Sequence, residues 1–196
     1  MYHQASWRNY FSWCFLDNEP LSNNDAVVIS MPFSDFGFEH PQTQNILNQA
    51  HALKVPVLID CAFFGICAGI NFDFSHPAIS TVTFSLSKSF PVANLRIGMR
   101  LTRFDDDDSL LVMNKTNYTN RMGAAVGLQI LDEFGPDDSY MRWRSSQEKL
   151  CAELDITPSN TVIFGIDNNN LYQQYSRGNS TNRLCLSKYI EAQTLP

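Results

Sequence analysis

The sequence predicts an α/β fold, a mixed and mainly parallel sheet flanked by helices, followed by a small α+β subdomain. Three observations carry that prediction. Short apolar runs alternate with a helical pattern between residues 25 and 103. The last two of those runs are joined by a connection too short for a parallel crossover. Past residue 135, a long amphipathic pattern precedes two more strand-like runs. A chain of 196 residues holds one domain with a smaller appendage, and the boundaries are set at 1–134 and 135–196.

Each element follows from its local pattern. Residues 25–31, DAVVISM, form a short apolar run stopped by Pro32, as in a strand buried on both faces. Residues 41–53 start on a proline and space Ile46, Leu47, Ala50 and Leu53 at helical intervals. VPVLID, residues 55–60, predicts a second buried strand, and TVTFSLS, residues 81–87, a third. LRIGMRLTR, residues 95–103, predicts a fourth, antiparallel to the third. An acidic loop spans Asp105 to Asp108. Helices are predicted over 118–134 and 137–154, the second stopped before Pro158. TVIFGID, residues 161–167, and RLCLS, residues 183–187, complete the count as strands around a polar loop.

Composition narrows the class. Apolar residues make up 44% of the chain and charged residues only 17%, so much of it must be internal. A net charge of −6 argues against a nucleic-acid partner, which requires a basic face. No apolar run reaches the ~20 residues of a membrane span. Cys14, Cys61, Cys67, Cys151 and Cys185 are scattered without C-x-x-C spacing, which predicts reduced thiols in a cytoplasmic protein and no metal site.

Chemistry concentrates at the carboxyl ends of the second and third strands, where ligands of open α/β sheets bind. Asp60 ends an apolar strand and must be paired or hydrogen-bonded. Lys88 follows the third strand, flanked by Phe84, Leu86, Phe90 and Pro91, so partly dry surroundings are expected to make its amine a nucleophile toward carbonyls. Ser85 and Ser87 place two hydroxyls beside it, and Arg96 adds a cation suited to a phosphate dianion. Taken singly, Lys88 reads as a solvated strand-end residue and Asp60 as a helix N-cap. Taken together, an acid, an amine, two hydroxyls and an arginine suit pyridoxal 5′-phosphate, with the acid on the pyridine nitrogen and the amine on the aldehyde.

These residues stand as Asp60-Cys61-Ala62-Phe63, Ser85-Leu86-Ser87-Lys88 and Arg96-Ile97-Gly98. The pattern resembles the D-x-A-Y, S-x-S-K and R-x-G motifs of the fold-type I pyridoxal-phosphate-dependent aminotransferases, the aspartate and aromatic group of class I/II. The resemblance implies a partial large domain of that fold with a small carboxyl-terminal subdomain. It makes Lys88 the Schiff-base lysine and proton carrier, Asp60 the partner of the pyridine nitrogen, and Ser85 and Arg96 the phosphate holders, with Ser87 also on the cofactor. The reaction implied is transfer of an amino group between an amino acid and a 2-oxo acid. Arg183 of NRLCLS is similar to the family arginine that clamps the substrate α-carboxylate. NYTNRMGAA resembles the segment that reaches a neighbouring subunit's phosphate, so a homodimer is implied, with Tyr118, Thr119 and Asn120 as the reaching residues.

Three departures follow. Phe63 stands where the family has a tyrosine that hydrogen-bonds the cofactor's 3′-oxygen, and Ser34 of MPFSDFGFEHP falls where an asparagine contacts the same oxygen beside the substrate. Both changes remove hydrogen-bond donors. Members are also roughly twice as long, so the chain is expected to correspond to the later part and to lack the phosphate-cradling helix start. Trp7 is the best candidate for the ring-stacking aromatic, although core or interface is the favoured use of that cluster. The alternatives to transamination are a catalytically impaired remnant that binds cofactor or a partner, and a lyase or decarboxylase on the same scaffold.

Overall fold

The computed structural model describes residues 12–16, 19–104, 108–176 and 181–194; Trp7 lies outside them. Its first sheet has the order β1-β2-β3-β4. β1 (Val27–Ser30) runs parallel to β2 (Val57–Cys61), with Ser30 opposite Asp60. β2 runs parallel to β3 (Ile79–Ser85), with Asp60 opposite Thr83. β4 (Gly98–Thr102) is antiparallel to β3, as the short connection predicts. A mainly parallel sheet flanked by helices is therefore the observed fold class.

Alternation sorts the strands into two faces. Val27, Ile29, Val57, Ile59 and Cys61 are buried on one, packed with Leu47 and Ala50 of helix α1 (Thr43–Leu53). The other face carries Ser30, Asp60, Thr83 and Ser85. β1 and β2 were expected to be buried on both faces and are not: burial alternates, and Val28 is 43% exposed. An apolar residue need not be internal, so a continuous apolar run overstates burial. β4 forms an edge, with Met99 and Leu101 about half exposed on it.

Residues 86 to 97 make the connection between β3 and β4, closed by Leu86 N–H donating to Ile97 O at 3.2 Å. Two helices follow, α2 (Ser109–Lys115) and α3 (Arg121–Glu133). α2 was not predicted; Asp108 caps it by accepting from Leu111 N. The helix expected from residue 118 starts three residues later because Asn120 caps it, accepting from Gly123 N at 2.9 Å. Gly127 faces the β3–β4 connection so closely that a Cβ there would lie 2.6 Å from Ile97 Cγ2.

Helix α4 (Asp138–Glu153) leads to a second, antiparallel sheet of β5 (Thr157–Pro158), β6 (Phe164–Asp167) and β7 (Asn182–Cys185), and to α5 (Ser187–Thr194). Gln147 of α4 is fully buried, its amide donating to the carbonyls of Ser159, Thr161 and Phe164. The strand predicted over 161–167 begins only at Phe164. The residues before it are spent on a clasp to the first part of the chain. Ser159 Oγ donates to Asp35 O at 2.7 Å, Thr161 Oγ1 to Ser34 O at 2.8 Å and Asn160 Nδ2 to Gly37 O at 3.1 Å. Gly37 has φ +71°, and a Cβ there would fall 2.5 Å from Thr161 N, so the clasp requires glycine at this point.

Candidate active site

Asp60 and Ser85 share a face of the sheet. Asp60 lies opposite Thr83 and Ser85 is two residues further along β3, which puts their Cα atoms about 8 Å apart. Asp60 is half-buried; its Oδ1 accepts from Ala62 N at 3.1 Å, a local turn rather than the helix cap that its type suggests. It makes no ion pair among the described residues. Its charge is nonetheless felt: burial, and then the neighbouring Asp60 charge, push the Cys61 thiol up to about 12.

The connection of residues 86–97 carries Ser87, Lys88 and Arg96. Ser85 Oγ accepts from Ser87 N at 3.2 Å, and Ser87 Oγ is buried without a hydrogen-bond partner. Ser89, the next residue but one, is pinned from two sides. Ser139 Oγ donates to its carbonyl at 2.6 Å, and Gly65 packs so close that a Cβ would meet Ser89 Oγ at 2.4 Å. Lys88 is thus held between two anchored serines. Its side chain is exposed, contrary to the dry surroundings expected from its apolar neighbours, because it lies in a turn three residues beyond the end of β3. Its Nζ stands 5.5 Å from the centre of the Phe63 ring. Arg96, expected within a strand, instead ends a short 3₁₀ turn with φ 53°; it is exposed, and its Nη1 reaches Ala93 O at 3.4 Å.

The second sheet supplies the far end. The Phe63 and Phe164 rings are 5.9 Å apart, and the Arg183 guanidinium carbon lies 4.1 Å over Phe164. Two aromatic rings therefore run between the amine and Arg183. Arg183 Nη1 donates to Asp35 Oδ1, and Ser34 Oγ is 3.4 Å from the same nitrogen. Ser34 Oγ also donates to Asp35 Oδ1 at 3.3 Å. The geometry thus brings Ser34, Phe63, Lys88 and Arg183 into one neighbourhood. Sequence reasoning missed Asp35 and Phe164. The acid in SDFG was a readable signal, since an acidic residue within an apolar stretch must find a partner; Phe164 carried none beyond an ordinary core aromatic.

Of the residues expected to reach a neighbouring subunit, Tyr118 is 80% exposed, and Asn120 is occupied as the α3 cap and donates to Leu95 O at 3.1 Å. A groove of about 490 Å³ lies between the β3–β4 connection and α3; Ser85 lines it, and neither Asp60 nor Lys88 does.

The profile of the aminotransferase class I and II family matches residues 16–173. No curated protein matches the chain. Among solved structures, N-succinyldiaminopimelate aminotransferase from Mycobacterium tuberculosis is similar at 13% identity and a TM-score of 0.59, covering 88% of this chain and 59% of that one. Aspartate aminotransferase tetra mutant 2 from Thermus thermophilus, complexed with tryptophan, gives 12%, 0.57, 89% and 58%. The PLP-bound C–S lyase from Staphylococcus hominis gives 14%, 0.56, 81% and 45%. At these identities the likeness is one of fold, and the chain spans less than two thirds of each of these structures. The profile match, covering most of the sequence, settles the lineage: the chain belongs to the aminotransferase class I and II family.

Proposed function

We propose that the chain binds pyridoxal 5′-phosphate and moves an amino group between an amino acid and a 2-oxo acid. One observation carries this reading. Asp60, near the carboxyl end of β2, and Lys88 and Arg96, in the connection between β3 and β4, have no ion-pair partner among the described residues, and the same connection carries the unpartnered Ser87 hydroxyl. Charges left uncompensated in one place suggest a ligand that compensates them. The donor set fits a phosphorylated pyridine aldehyde: Asp60 for the ring nitrogen, Lys88 for the aldehyde, and Ser85, Ser87 and Arg96 for the phosphate. When bound, that cofactor supplies the electron sink that lets an amino acid's α-carbon give up a proton. Lys88 Nζ takes that proton and returns it, Asp60 holds the ring nitrogen charged, and Arg183 orients the substrate carboxylate. Phe63 provides an apolar wall where a hydroxyl donor is absent.

On this reading residues 1–134 form the cofactor-binding part and 135–196 a second, smaller part. A homodimer is included, on the strength of the outward Tyr118, and a cytoplasmic location, on the strength of five free cysteines. A second reading, a catalytically impaired cofactor-binding remnant, is favoured by the exposure of Lys88 and the engagement of Ser34 with Asp35.

The test is absorbance after adding pyridoxal phosphate, then borohydride reduction and peptide mapping. A visible band with the pyridoxyl group mapped to Lys88 alone is expected, followed by conversion of amino acid to 2-oxo acid. Lys88 labelling without turnover favours the remnant. No band, or label spread over several lysines, overturns the cofactor assignment.

A further inference from the structure

Arg183 already holds a carboxylate. Its side chain is 15% exposed and that of Asp35 6%, so the pair sits largely out of water. Neither partner is loosely placed. Asp35 O is fixed by Ser159 Oγ, Phe36 O accepts from Asn160 N at 3.1 Å, and Arg183 lies opposite Ile166 in the second sheet with its guanidinium over Phe164. A second carboxylate brought to this pair would leave a net negative charge where Asp35 is buried. That desolvated charge costs more than the added attraction returns. A ligand must therefore break one charge-assisted hydrogen bond to make another.

We propose that Asp35 is a built-in competitor for ligand carboxylates at Arg183, so that amino acids and 2-oxo acids reach the guanidinium only by displacing it. The inference rests on Arg183 being the carboxylate clamp, and it assigns to Asp35 control of how tightly that clamp binds. Asp35 acts on carboxylate affinity and leaves the Lys88 end untouched.

The test titrates 2-oxoglutarate into the whole chain by calorimetry, without added cofactor. Wild type, Asp35→Asn and Asp35→Ser are compared, each with and without Arg183→Leu, and folding of every variant is checked by circular dichroism and melting. Whichever acid-free variant folds is expected to bind at least about tenfold more tightly than wild type, and the added Arg183→Leu change to abolish the gain. If wild type binds as tightly as the folded variant and loses binding on Arg183→Leu, the clamp stands and the competitor role of Asp35 is overturned. If no variant binds, or the gain survives Arg183→Leu, Arg183 is not the clamp and both fall. Pyridoxal phosphate labelling at Lys88 is independent of either result.

Discussion

Asp60, Lys88 and Arg96 sit at one end of the site without an ion-pair partner among the described residues, whereas Arg183, two aromatic rings away, is matched by Asp35 and nearly dry. The two ends spend their charges differently. Unmatched charges near the surface contribute little to folding and leave the groups available to a ligand. A matched, buried pair is held by the fold, and removing one member strands the other. The groups proposed to bind a ligand thus belong to the first sheet, and sensitivity to mutation is expected at the junction with the second.

That contrast is open to direct attack. Asp35→Ala should produce the largest effect, a loss of about 3 kcal/mol because Arg183 is left buried without its acid; chemical denaturation reads it, and a loss below about 1 kcal/mol would erase the distinction. Next come the buried thiols. Burial pushes Cys61 up to about 12, and Cys67 and Cys151 to about 11, from the ordinary 9.0. Folded thiols then keep protons that unfolded ones lose. The stability they add is complete below the ordinary value and disappears as pH rises through 11 to 12. Native iodoacetamide labelling should mark Cys14 and Cys185 and spare the other three until the alkaline transition. Smallest are Lys88→Ala and Asp60→Asn, each expected to shift stability by no more than about 0.5 kcal/mol. A larger loss at Asp60 would mean that it supports the fold as well as a ligand.

Much of this is legible in the sequence alone. β1 to β4, α1, α4 and the antiparallel turn of β4 follow from apolar periodicity and connection length, since both depend on neighbours in sequence. S-x-S-K and the distal R-x-G are local in the same way, and they mark the end at which the cofactor is proposed to bind. The Asp35–Arg183 pair escaped because its members are 148 residues apart and neither sits in a periodic pattern. The exposure of Lys88 escaped because apolar neighbours tell what flanks a residue, not which way a turn points it. Residues 159–161 read as part of a strand because their β-branched and apolar character suits a strand as well as a clasp.

The clasp also has a kinetic consequence to test. Its bonds join residues 123 to 127 positions apart, so each closes a loop through most of the chain. Closure entropy of that size is recovered only once the sequence-local strands and helices around it have already condensed. Contacts that arrive after the folding transition state act on the escape rate alone. The tie between residues 34–37 and 159–161 is therefore expected to serve as a latch, so that Ser159→Ala should speed unfolding in stopped-flow measurements and leave the refolding rate nearly unchanged.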